Sequence, residues 1–223
     1  MSHDHTPARA FDAVLFDFGG VFIDSPFAVA DAAAAELGID PEVLTDVVFG
    51  SYHADTDHPW HRLERGEVSF DDCRAAIIAD SVERGLIDVD PFAVLGRLAA
   101  GGATAVREFM VDAVRGFRAA GLKAGIVTNN IAEFGSYWRS LLPLDELFDD
   151  VLDSCEVGLR KPNTAIYLLA CERLEVEPSR ALFVDDHLGN VEGARRAGLT
   201  AVCCGTSVES TIAALAELQE LAG

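Results

Sequence analysis

Asp17 ends the apolar run AVLFD and is followed by Phe18, Gly19 and Gly20. Thr128 ends AGIVT, the pair Asp185-Asp186 ends ALFVDD, and Lys161 stands in VGLRKPN. Taken singly, each has an ordinary reading: Asp17 as an Asx-turn, Thr128 as a turn hydroxyl, Asp185-Asp186 as a solvated corner or a helix N-cap, Lys161 as a surface charge. Taken together they carry more. Carboxylates that converge on one rim repel one another unless a cation sits between them, and hard oxygen ligands of this kind suit Mg²⁺. Pro162 disfavours helical geometry at Lys161, which leaves the lysine in the loop before a helix, where it can neutralise a nucleophilic carboxylate and an anionic substrate group.

Convergence requires the right scaffold. Short aliphatic and β-branched runs lie at Ala13 to Phe16, Ala124 to Val127, Ala181 to Val184 and Ala201 to Cys203. Helical spacing fills Ile131 to Ser140, Asn163 to Leu174, Val191 to Ala197 and Thr211 to Leu221. Strand and helix alternating at this spacing predict βαβ units with right-handed crossovers, hence an α/β, doubly wound parallel sheet of Rossmann type. In such a sheet ligands bind outside the carboxyl ends of the strands, where all the acids above fall. Between Pro26 and Ala100 the pattern is helical only, with stretches at Phe27 to Leu37, Pro41 to Phe49, Ser69 to Glu83 and Pro91 to Ala99. This predicts a core of residues 1–24 and 101–223 interrupted by a helical cap of residues 25–100.

Bulk properties narrow the partners. The net charge of −20 disfavours nucleic acid and anionic membranes. No apolar run reaches the roughly 18 residues of a membrane span, and MSHDHTPARA lacks the features of a signal peptide, so the expected location is cytoplasmic. Cys73, Cys155, Cys171, Cys203 and Cys204 are odd in number and have no C-x-x-C spacing, which predicts reduced thiols. Lys123 and Lys161 are the only lysines among the 17 basic residues, which gives the context of each added weight.

The pieces LFDFGGV, GIVTNN, GLRKPN and FVDDHLGNVEGA, in that order, resemble the motifs of the haloacid dehalogenase (HAD) superfamily of aspartate-nucleophile hydrolases. WHRLERGEVSF, Trp60 to Phe70, is similar to a cap segment of the branch that contains the phosphatase domain of soluble epoxide hydrolases and bacterial glucose-1-phosphate phosphatases. The resemblance spans Ala13 to Val202 and implies a Mg²⁺-dependent phosphatase acting on a small phosphorylated metabolite, as a monomer or homodimer. It implies further that Asp17 attacks phosphorus, and that Asp17, the Gly19 carbonyl, Asp186 and, directly or through water, Asp185 hold the metal. Thr128 and Asn129, with Gly20 and Asn130, would contact the phosphoryl group, and Lys161 would bridge it to Asp17.

One position departs from the pattern. Most phosphatases of the superfamily carry a second aspartate two residues after the nucleophile, a general acid, and here Gly19 stands there. General acid–base catalysis typically contributes about 10²- to 10⁴-fold, so the absence is chemically significant. Either the leaving group needs little protonation, or a cap residue (Asp24, His53, His58 or His61) supplies the proton, or turnover is poor. Hydrolytic dehalogenation needs no such acid, but it needs no metal either. Phosphonate cleavage by relatives requires a cap lysine that this chain lacks, phosphomutases need the missing aspartate, and a phosphate-binding regulatory protein has no use for a nucleophile. Phe22, Phe27, Tyr52, Trp60 and Arg62 are candidates to line a pocket or fill the core.

Overall fold

The computed structural model describes residues 10–86, 90, 96 and 105–222. The runs predicted as strands form β1 (Ala13–Phe16), β2 (Lys123–Thr128), β4 (Ala181–Asp185) and β5 (Thr200–Cys203), joined by an unpredicted β3 (Asp150–Asp153). All pair in parallel, in the order β3-β2-β1-β4-β5. The expected doubly wound α/β sheet is therefore present, with β1 at its centre and successive strands added on either side of it. β3 escaped sequence reading because DVLD offers only two apolar residues between acids, too little for a hydrophobic run.

Pleating assigns alternate residues of each strand to opposite faces. Val14 and Phe16 face one layer with Met110, Val114, Phe117 and Leu218, from α5 (Glu108–Ala119) and the C-terminal helix (Val208–Ala222). Ala13 and Leu15 face the other, with Ile166 and Tyr167 of α9 (Thr164–Arg173) and Val191 and Ala194 of α10 (Leu188–Arg196). Asn163 caps α9 by accepting from the Ala165 amide at 3.0 Å, which fixes where the Lys161 loop ends. α5 was not anticipated, although Met110, Val111, Val114 and Phe117 recur at helical spacing.

Between β1 and β2 lie α1 (Pro26–Leu37), α2 (Pro41–Phe49), α3 (Pro59–Glu64) and α4 (Phe70–Glu83). They pack around Ala30, Leu44, Val47, Trp60, Leu63 and Ile77, a cluster separate from those flanking the sheet. The predicted helix at Pro91 to Ala99 lies outside the described residues, apart from Gly96. No helix among the described residues is long and apolar enough to cross a membrane, and the five cysteines are free thiols.

Candidate active site

Register brings the strand ends together. Phe16 pairs with both Ile126 and Val184, so Asp17, one residue on, leaves β1 where Thr128 and Asp185 leave their own strands. The Asp17 amide donates to the Val184 carbonyl at 2.9 Å. Oxygens of Asp17, Asp185 and Asp186 lie within 4.8 Å of one another, and all three residues are buried.

Lys161 holds two of these acids. Its Nζ lies 2.7 Å from Asp17 Oδ1 and 2.7 Å from Asp185 Oδ2, with only 1 % of the side chain exposed. The loop beneath it is fixed by Asn129, whose Oδ1 accepts from the Lys161 amide at 2.8 Å and whose Nδ2 donates to the Lys161 carbonyl at 3.0 Å. Burial alone would lower the lysine's pKa, but the negative charges of Asp17 and Asp185 outweigh it and raise it, so the ammonium form is the one present. Asp185 engages both oxygens: besides Lys161 they accept from Asn190 Nδ2 at 3.0 and 3.1 Å and from the His187 amide at 2.8 Å. Asp17 Oδ1 is similarly engaged by Lys161 and the Phe18 amide. Asp17 Oδ2 has no such partner among the described residues.

Asp186 differs from its neighbour. Its buried Oδ2 has no hydrogen-bond partner among the described residues. Burial, followed by repulsion from Asp185, pushes its pKa up to about 7, and burial likewise raises that of Asp17 against the opposing pull of Lys161. An orphaned carboxylate oxygen among mutually repelling acids fits a hard divalent cation, which would reverse both shifts. Asp17 and Asp186 are the residues with oxygens to offer it.

Gly20 makes room for this arrangement. Its φ is +72°, and a Cβ there would lie 2.1 Å from Asp186 Oδ2. Gly19, in contrast, is outside the left-handed region. Gly19 lines a cavity of ≈ 50 Å³ together with Asp17, Tyr52, Thr128, Asn129, Lys161, Asp186 and Asn190.

The family model of haloacid dehalogenase-like hydrolases matches residues 11–198. The chain belongs to this hydrolase family. It is 30 % identical over 223 residues to acyl-CoA dehydrogenase family member 10 of Mus musculus, covering 98 % of this chain but only 20 % of that protein. Sesquiterpene phosphatase astK of Aspergillus oryzae is 25 % identical over 214 residues, 96 % of this chain and 97 % of that one. Among solved structures, a dehalogenase superposes with a TM-score of 0.64 at 22 % identity, covering 97 % of this chain and 100 % of that one. A HAD-family enzyme of Bacteroides thetaiotaomicron in complex with magnesium and inorganic phosphate does so with 0.58 at 16 %, covering 88 % and 96 %. At these identities the two structures bear on the fold alone.

The HAD hydrolase site leaves several expected residues elsewhere. Asn130 is not among the cavity residues described: its amide donates to Ser154 Oγ at 2.9 Å and its Oδ1 accepts from the Ile131 amide at 2.8 Å. Gly20 backs Asp186 instead of facing the cavity. Of the proposed proton donors, the Asp24 side chain is 82 % exposed beside Arg107. His61 Nδ1 accepts from the Thr56 amide at 3.1 Å, and His58 Nδ1 from the Trp60 amide at 3.2 Å. His53 packs on His187 with ring centroids 5.5 Å apart. None of the four is among the described residues that line the cavity. Phe22 fills the sheet core, Trp60 the helical cluster, and Arg62 pairs with Glu67 at the surface. The side chain of Phe27 lies outside the described residues. Two buried side chains next to the site lie in motifs noted above, GLRKPN and WHRLERGEVSF, but were not singled out: Arg160 and Glu64, paired at 2.7 Å across 96 residues of sequence.

Proposed function

We propose that this HAD hydrolase is a Mg²⁺-dependent phosphatase that cleaves a small phosphate ester through an aspartyl-phosphate on Asp17. The observation that carries the reading is the ammonium of Lys161 at 2.7 Å from Asp17, beside the orphaned Oδ2 of Asp186. The cavity of ≈ 50 Å³ is large enough to take a tetrahedral phosphoryl group.

In this mechanism one oxygen of the Asp17 carboxylate attacks phosphorus in line, and the bond from phosphorus to the ester oxygen breaks. Lys161 balances the charge gathered on Asp17 and the phosphoryl oxygens, while the Thr128 hydroxyl and the Asn129 backbone amide hold those oxygens. A Mg²⁺ ion held by Asp17, Asp186 and the Gly19 carbonyl, with Asp185 in support, would supply further charge neutralisation at phosphorus. The departing alkoxide takes its proton from solvent, as Gly19 offers none. Water then attacks the acyl phosphate, releasing orthophosphate and regenerating the Asp17 carboxylate. Full-length similarity to a phosphatase supports the reading.

Residues 25–100 are taken as the cap and residues 1–24 and 101–223 as the core. The protein is taken as a cytoplasmic monomer or homodimer. Metal-independent dehalogenation is the second reading, favoured only by Gly19, and three converging acids argue against it. Phosphate release from an aryl phosphate and from sugar phosphates, with and without Mg²⁺, tests the proposal, alongside halide release from 2-haloacids. Asp17→Asn should abolish turnover while the chain stays folded; phosphate release that survives this change or needs no metal overturns the mechanism.

A further inference from the structure

On the phosphatase reading, an ester must enter a cavity that the strand ends and Tyr52 of the helical insertion line together, so movement of the insertion would change access to it. We propose that the buried pair Glu64–Arg160 is the latch for that movement: it closes the insertion over the cavity and, in closing, positions Lys161. Glu64 ends α3 in the insertion, and Arg160 immediately precedes Lys161 in the sheet-side loop. Arg160 Nε donates to Glu64 Oε2 at 2.7 Å, with the two side chains 0 % and 3 % exposed.

The same carboxylate organises the cavity wall. Glu64 Oε1 accepts from the Tyr52 hydroxyl at 3.0 Å and from Trp60 Nε1 at 2.9 Å. The guanidinium carbon of Arg160 lies 5.1 Å from the centre of the Tyr52 ring, and Tyr52 lines the cavity. The Tyr52 carbonyl packs so closely on Gly189 that a Cβ there would be 2.2 Å away, so this wall is seated directly on α10, the helix that carries Asn190. One ion pair thus ties the insertion, the cavity wall and the peptide that leads into Lys161.

Energetics argue for a positional role. A buried ion pair roughly breaks even against apolar groups of the same size, because desolvation offsets the Coulomb attraction. This one is incompletely satisfied. Nη1 and Nη2 of Arg160 have no hydrogen-bond partner among the described residues, and Nη1 is 3.9 Å from Asp55 Oδ1. Opening the insertion rehydrates both charges, so the pair specifies the closed geometry without locking it.

The test is hydrogen exchange on the whole protein combined with steady-state kinetics on an aryl phosphate with Mg²⁺. Glu64→Gln removes the charge but leaves that of Arg160 buried, so the double variant Glu64→Leu with Arg160→Met, which buries no charge, is the decisive one. In the double variant, exchange in residues 51–66 should rise by about tenfold or more while peptides from β1 and β4 keep wild-type protection. Its kcat/KM should fall by about tenfold or more, with part of the loss in kcat because Lys161 is less well placed. Unchanged protection in 51–66, a uniform rise across the chain, or an unfolded double variant each overturns the latch. The exchange result does not depend on turnover, so it stands or falls separately from the phosphatase reading.

Discussion

Gly20 and Asp186 occupy what is nearly the same space: a single added carbon on Gly20 would lie 2.1 Å from Asp186 Oδ2. The glycine therefore serves the acid of another strand, reached 166 residues later in the chain. Its φ of +72° adds a second reason for the residue type.

Gly20→Ala should displace the Asp186 carboxylate and strain the loop at the same time. The expected result is at least about a 10²-fold loss of kcat/KM, as for removal of one preorganised stabilising group. Mg²⁺-induced thermal stabilisation should weaken in parallel. A Gly20→Ala protein with wild-type Mg²⁺ stabilisation would show that Asp186 does not hold the metal.

On the phosphatase reading, Lys161→Ala leaves Asp17 and Asp185 facing the substrate phosphate without their shared cation, and kcat/KM should fall by at least about 10²-fold. Lys123→Ala is the control. Lys123 begins β2, at the opposite end from Thr128, and its Nζ donates to the Leu174 carbonyl at 2.6 Å. Equal damage from the two substitutions would remove the special role given to Lys161.

These residues were legible because an acid, a hydroxyl or an acid pair stands at the end of an apolar run, and that pattern places them on one rim. Asn190 was visible only as the last letter of DDHLGN, with no hint that it binds the companion acid Asp185. The Glu64–Arg160 pair was not legible, because contact across 96 residues leaves no mark on either local segment. Asn129 shows a subtler limit: its strand-end position was read correctly, but its side chain is spent on the Lys161 backbone. Among elements, β1 and β4 are continuous apolar runs and declared themselves, whereas β3 is a short, acid-rich edge strand whose place is set by pairing with β2.

Arg107 joins the two crossings between sheet and insertion. Its amide donates to the Phe22 carbonyl at 2.8 Å, and Nη1 donates to the Gly20 carbonyl and, at 2.9 Å, to Thr211 Oγ1. Arg107→Met should leave the Gly20 carbonyl with only the weak donor Cys204 Sγ, 4.0 Å away, and cost about 1–3 kcal/mol of stability. Thr211→Val should cost less, since the guanidinium keeps its bond to Gly20. Chemical denaturation of both variants checks the order; a harmless Arg107→Met means the nucleophile loop holds its shape unaided.

His61 gives the stability a pH dependence of known sign. It is fully buried, and burial, then the positive charges of Arg160 and His58, lower its pKa to about 3. The unfolded chain, with a histidine pKa near 6.5, therefore binds the extra proton first as pH falls. Stability should decline from about pH 6.5 downward, by up to about 1.4 kcal/mol per pH unit from this residue. His61→Asn should show a slope shallower by one proton between pH 6 and 4.5, and equal slopes would mean His61 is protonated in the fold.

Gly19 sets the last expectation, which concerns leaving groups. No acid stands two residues after Asp17, and none of Asp24, His53, His58 and His61 is among the described cavity residues, so on the phosphatase reading the alcohol is expected to leave on the strength of its own acidity. Rates should rise steeply from alkyl to anomeric to aryl phosphates, since each lower leaving-group pKa reduces the charge that goes unprotonated in the transition state. Gly19 is outside the left-handed region, so Gly19→Asp imposes no positive φ on the new side chain and can test the complement: an acid placed there should flatten the series, raising the slow alkyl esters most. The measurement is kcat/KM over esters of graded leaving-group pKa, under conditions where chemistry limits, for wild type and Gly19→Asp. A flat wild-type series would mean that a proton donor reaches the cavity after all, and a water held by Tyr52 or Asn190 would be the first source to examine.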